Sequence, residues 1–364
     1  MKKIMSLVIV LALCAGLLLT GCGKKDDGGS GKDPAKKPIK IAYLANGSMG
    51  DKSFFESALN GVKQIEKKYG AKVTAIEIGA DKSKFEPALM DASEEDYDLI
   101  VIGTFDMEQA IMKVAPQYPD KKYIMFDYAL DYSKGDFDNV YCVTYKANEG
   151  AYLSGVLAAS MSKNNKIGFV GGMDIPLIND FLVGFIQGAK DTNPNIKVLV
   201  SYVGDFNDPA KGKELALAQY NQGADIVYQG AGQSGLGCLD AAKEKGKFII
   251  GTDSDQAMIY KNDDPTKANL ILTSQLKRVD KSLIRAFELF QKGELKFGES
   301  ETLGLFDEAI ELADNEFYKK LVPQEIRDKV EASKAKIADG SIKVQGGFGL
   351  STVELNKIKD SVKP

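Results

Sequence analysis

Carboxylates and aromatic rings recur together in the short polar stretches of this sequence. Asn46-Gly47-Ser48-Met49-Gly50-Asp51-Lys52-Ser53-Phe54-Phe55 is one such stretch. Gly103-Thr104-Phe105-Asp106, Phe126-Asp127-Tyr128 and Gly204-Asp205-Phe206-Asn207-Asp208 repeat the pairing. Gly171-Gly172-Met173-Asp174, Gly230-Ala231-Gly232-Gln233 and Gly251-Thr252-Asp253-Ser254-Asp255 add glycine-rich turns and further acids. Carboxylates accept paired bonds from hydroxyls, and aromatic faces sandwich a flat ring at about 0.5–1.5 kcal/mol per ring pair beyond area burial. The combination suits a neutral polyhydroxyl or heterocyclic ligand and repels an anion. Neither a Walker lysine nor a GxGxxG run follows the glycines, so they are weak phosphate signals.

Other chemistries are excluded by what is missing. The 364 residues contain no histidine, which rules out a Ser-His-Asp or Cys-His catalytic set and a His-ligated zinc. No metal or other cofactor is expected. Lys plus Arg is 47 against 51 for Asp plus Glu, a net charge of −4, and a nucleic-acid binder would need a basic stripe instead. Four cysteines, two of them in the first 22 residues, are too few for a disulfide scaffold, and buried thiols are the expectation for Cys142 and Cys238. With 44% hydrophobic and 27% charged residues, most of the chain should fold in water, and its length allows two domains.

The elements that hold the polar stretches alternate. Short β-rich apolar runs such as IKIAYLA (39–45), DLIVIGT (98–104) and KYIMFD (122–127) are separated by amphipathic helical stretches, as in Ser53 to Tyr69, where Phe54, Ala58, Val62 and Ile65 share a face. The rhythm repeats after VYCVTY (140–145), with KIGFVGG, KVLVSYVG, ADIVYQG and FIIGTDSD as strands. This is the pattern of βαβ units: α/β, with two similar doubly wound Rossmann-like lobes. Ligands of such folds bind at the carboxyl ends of the parallel strands, where the polar stretches lie. There Asp51 or Ser53 can cap the helix that follows, so Asp51 is a cap or a ligand contact. After LILTSQLKRVD and a helix to about residue 291, a looser segment runs to Pro364 and should decorate both lobes.

The amino terminus reads as an address. Lys2 and Lys3 precede an apolar run from Ile4 to Leu19, short for a membrane span. Leu19-Thr20-Gly21-Cys22 resembles a bacterial lipobox, which implies cleavage before Cys22 and a lipid on its thiol. Residues 1–21 are then the signal peptide, and 22–38 a lipidated cysteine with a Gly-, Lys- and Asp-rich flexible tether.

GDKSF (50–54), Val114-Ala115 with Tyr118-Pro119-Asp120, FVGGMDIP (169–176), GADIVY (223–228), GTDSDQ (251–256) and LTSQLKRVD (272–280) stand here in the order they take in a known family. On these residues the chain resembles the basic membrane protein family of substrate-binding lipoproteins, whose purine nucleoside receptors feed ABC importers. The resemblance implies the type I periplasmic binding protein fold, with three crossovers, and lobes at 39–143 plus 273–297 and at 144–272 plus 298–364. It implies no enzyme activity, a nucleoside ligand, an ABC permease and ATPase as partners, and attachment to the extracytoplasmic face of the cell membrane through Cys22.

By the same resemblance Phe54 and Phe206 sandwich the base, while Asp127, Gly232, Asp253 and Lys277 surround base and ribose. Packing under its own loop is the alternative for Phe206, and a surface pair with Asp280 the alternative for Lys277. Relatives commonly carry an aspartate where Ala45 stands and an asparagine where Phe55 stands. Asn46 and Phe55 therefore join the candidate contacts, and the choice of base is open. Another small ligand on the same fold, such as a sugar or quorum signal, a surface adhesin and a nucleoside hydrolase are the rival readings.

Overall fold

A computed structural model describes residues 37–364. The leader, Cys22 and the tether through residue 36 lie outside the described residues. Ten strands come in two equivalent sets. In the first set β1 (Lys40–Ala45), β2 (Lys72–Glu77), β3 (Leu99–Gly103), β4 (Tyr123–Phe126) and β5 (Val140–Tyr145) pair in the order β2-β1-β3-β4-β5, all parallel. In the second, β6 (Lys166–Gly171), β7 (Lys197–Tyr202), β8 (Ile226–Gly230), β9 (Phe248–Asp253) and β10 (Ile271–Lys277) repeat that order as β7-β6-β8-β9-β10.

The central strands are apolar because helices cover both faces. Leu99 to Gly103 and Ile226 to Gly230 are buried throughout, as parallel strands inside α/β layers must be. Edge strand β2 is mostly exposed and mixes polar with apolar residues. The helix Ala147–Met161 is also buried nearly all round and packs against the helix Pro176–Thr192.

The chain changes lobe at positions slightly displaced from those expected. β5 ends the first parallel series at Tyr145, and the helix from Ala147 packs in the second lobe. β10 belongs to the second sheet as far as Lys277, so residues 273–277 are not part of the first lobe; the helix Val279–Lys292 then returns to pack on the helix Phe54–Tyr69. β11 (Ser300–Leu303) pairs in parallel with β5, so residues 298–303 sit with the first lobe, and β12 (Ile310–Leu312) pairs antiparallel with β10. An apolar run that stays buried on either side of a crossover carries no signal of which sheet receives it.

The segment after residue 292 is better ordered than a loose decoration. It adds those two strands and the helices Glu316–Leu321, Gln324–Ala338 and Thr352–Asp360. The last two pack on the Ala147–Met161 and Pro176–Thr192 helices, and Val198 N–H donates to the carbonyl of Val362. From β12 onward, this carboxyl segment serves the second lobe.

Candidate functional site

The carboxyl ends of the two parallel series border a cavity with about 880 Å³ of empty space, the open solvent at its mouth included. Asn46, Asp51, Phe54, Phe55, Asp127, Phe206, Gly232, Asp253 and Lys277 all line it. Each follows or ends a strand, or opens the helix behind it, so the strand-end rule brings together residues more than 200 positions apart in the chain.

Asp51 caps the helix Phe54–Tyr69. Its Oδ1 accepts the N–H groups of Ser53 at 2.9 Å and Glu56 at 3.1 Å, and its Oδ2 that of Phe55 at 2.9 Å. Burial pushes this carboxyl up to about 6, against the downward pull of the three N–H donors. Of the two readings of Asp51, the structure commits its oxygens to the cap. Ser53 makes no side-chain cap, and its hydroxyl crosses the cleft to donate to Asp253 Oδ2 at 2.7 Å. Ser254 Oγ donates in return to the carbonyl of Ser53 at 2.7 Å. The lobes are therefore bonded to each other at this point.

Lys277, the last residue of β10, places its ammonium 2.9 and 3.0 Å from the two carboxylate oxygens of Asp127, which follows β4 in the other lobe. Both side chains are only 4% exposed, so the surface pairing of Lys277 with Asp280 does not occur; Asp280 is held by Arg278 at 2.8 Å. The same ammonium lies 5.3 Å from the ring centre of Phe54 and 5.1 Å from that of Phe181. Burial raises the carboxyls of Asp127 and Asp253, and the Lys277 charge works against that rise in both. Asp127 and Asp253 adopt positive φ, 62° and 66°, a conformation that short polar side chains tolerate better than most.

The aromatic walls have distinct supports. Phe54 packs on Phe126, with ring centres 5.4 Å apart, and edge-on against Phe55 at 5.1 Å. Phe55 lies so close over Gly47 that a Cβ there would come within 2.1 Å of its ring. In the second lobe Phe206 leans on Gly172, where a Cβ would come within 2.3 Å of its ring, and passes Gly232 at ordinary contact distance. Phe206 thus packs against its glycine neighbours and lines the cavity as well.

Leu177, Ile178 and Phe181 also line the cavity and are absent from the sequence-based candidates. They sit on the amphipathic helix Pro176–Thr192, where apolar residues at helical spacing read as core. The position of this helix start directly behind the Gly171-Gly172 strand end was the available signal. Among the described residues no group of acids or cysteines is arranged to hold a metal ion. Cys142 and Cys238 are buried free thiols packed in separate apolar clusters.

The sequence profile of the family described as ABC transporter substrate-binding protein PnrA-like matches residues 39–346. A Lactococcus lactis protein named ABC transporter nucleoside-binding protein BmpA is 34% identical, covering 94% of this chain and 99% of its own. Basic membrane protein A of Borreliella burgdorferi is 32% identical, over 80% of this chain and 81% of its own. A solved ABC transporter solute-binding protein from Aeropyrum pernix superposes with a TM-score of 0.78 at 28% identity, over 89% of this chain and all of that one. It, like the family, is described as a binding protein rather than an enzyme. The chain belongs to the PnrA-like, or basic membrane protein, family of ABC transporter substrate-binding proteins.

Proposed function

We propose that this protein captures a nucleoside, purine nucleosides above all, in the interlobe cavity and delivers it to the permease of an ABC importer. The observation that carries this reading is the meeting, in one cavity, of Phe54 from the first lobe and Phe206 from the second with the buried Asp127–Lys277 pair and Asp253. Rings suit a flat heterocycle, and paired charges that both accept and donate suit the hydroxyls of a ribose. The name of the Lactococcus lactis relative, a nucleoside-binding protein, supports the same ligand class. Delivery from the extracytoplasmic face, with Cys22 lipidated, follows from the lipobox-like sequence at residues 19–22. No described helix is long and apolar enough to cross a membrane.

Ligand enters between separated lobes and stacks on the rings of one of them. Closure then brings the other lobe onto it and forms contacts such as Ser53 with Asp253. A thermal-shift screen with nucleosides, free bases, ribose and other sugars, followed by calorimetry, tests this. A nucleoside at a hundred times its dissociation constant adds about 2.7 kcal/mol of stability. Asp253→Ala should weaken its binding by about 1–3 kcal/mol. A shift given by sugars alone, or turnover of a nucleoside by the pure protein, rejects the proposal.

A further inference from the structure

Asn46 and Thr104 follow β1 and β3, the strands between which the first sheet reverses its order, the usual ligand position in open α/β sheets. Their side chains meet there. Asn46 Nδ2 donates to Thr104 Oγ1 at 2.9 Å, and the backbone N–H of Asp106 donates to the same oxygen at 3.4 Å. The amide is thus turned with its nitrogen toward Thr104. Its other end is the notable one. Asn46 lines the cavity at 6% exposure, and its Oδ1 is buried with no partner among the described residues.

Buried carbonyl oxygens almost always have a donor, and among the described residues none reaches this one. The residue that aims it is strained: Thr104 has φ 71° and ψ 159°, a region essentially reserved for glycine, and a β-branched side chain persists there only when its surroundings hold it. The neighbouring acid, Asp51, spends its oxygens on the helix N–H groups. Across the cleft Thr252 Oγ1 is also buried without a partner. A hydroxyl both donates and accepts, however, whereas an amide oxygen only accepts.

We infer that Asn46 Oδ1 accepts an N–H from the edge of the ligand's base and that Thr104 is its positioning residue, so that the cavity selects heterocycles with a donor on the edge facing the first lobe. This rests on the nucleoside reading above and adds to it the polarity of the recognised edge.

Calorimetry on the whole protein with adenosine, inosine, guanosine and purine riboside tests it. Purine riboside keeps both rings and the sugar but has no N–H on its base. The parent should bind the best of the three donor-bearing nucleosides about tenfold or more tighter than purine riboside. Asn46→Ala should bring that ratio near one, and Asn46→Asp, which offers only acceptors, should keep it. Thr104→Val should narrow the ratio and Thr104→Ser should restore it. A change that merely loosens the site weakens all four ligands together and leaves the ratio in place. A parent ratio near one, or an unchanged ratio in Asn46→Ala, overturns the assignment while nucleoside binding stands. A parent that binds no nucleoside overturns the nucleoside reading and the assignment with it.

Discussion

Lys277 Nζ lies between the two carboxylate oxygens of Asp127, at 2.9 and 3.0 Å, and so ties the end of β10 in one lobe to the end of β4 in the other. Two acids, Asp127 and Asp253, share this one buried cation, which lowers the carboxyl of each against the effect of burial. The pair bridges the two lobes and lines the cavity between them.

Removing that cation should be costly. Lys277→Met leaves buried acids without their counter-charge, and breaking a buried pair in this way costs about 3–5 kcal/mol. Urea denaturation should show the loss, and Lys277→Met combined with Asp127→Leu should recover most of it. A single variant as stable as the parent would mean that the pair is solvated in solution.

Asp51 makes stability depend on pH in an unusual direction. Its carboxyl stands at about 6 in the folded protein, above the ordinary value near 4. The native state therefore holds the proton more tightly than the unfolded chain, and this group's contribution falls as pH rises from about 4 to about 6. Asp51→Asn keeps an oxygen for the helix and does not titrate. Relative to that variant, the parent should gain melting temperature as the pH is lowered from about 7 to about 4; parallel curves for the two proteins would contradict the assignment.

Gly172→Ala separates packing from binding. The new methyl would displace the ring of Phe206, and because that ring is partly exposed it can swing aside at small cost to the fold. Affinity for the ligand should drop about tenfold, a loss of about 1.4 kcal/mol, while the unliganded melting temperature moves little. Unchanged affinity would show that Phe206 takes no part in binding.

Ser53→Ala deletes the hydroxyl that reaches Asp253 across the cleft. The open arrangement should gain population, and with it the radius of gyration of the unliganded protein by small-angle scattering. Affinity should weaken by about 1–3 kcal/mol, since Asp253 is left buried with one bond fewer. A scattering curve and an affinity that both match the parent would place closure under other contacts.

The strand ends were legible because their cause is local. Continuous apolar runs such as LIVIG and IVYQG must be buried on both faces, and glycines and acids directly after them mark where the chain leaves the sheet. Leu177, Ile178 and Phe181 were not legible as site residues, since their apolar spacing on a helix looks the same whether it faces a core or a cavity. The order within residues 300–364 was hidden for a related reason. The helix Gln324–Ala338 is largely polar and buries only Val330 and Ile337, so its place is set by packing on the Ala147–Met161 helix.

From the sequence alone came the α/β alternation, the twofold repeat of the strand rhythm and the polar residues at strand ends, because backbone propensity and burial act over a few neighbouring positions. Tertiary structure alone decided which of those residues meet. Ser53 finds Asp253 across 200 positions and Asp127 finds Lys277 across 150, and the lobe changes after Tyr145 and Lys277 fall where no local pattern marks them. Those partnerships depend on how the two sheets face one another across a cleft, a geometry set by the crossovers and by long-range packing, which no window of adjacent residues contains.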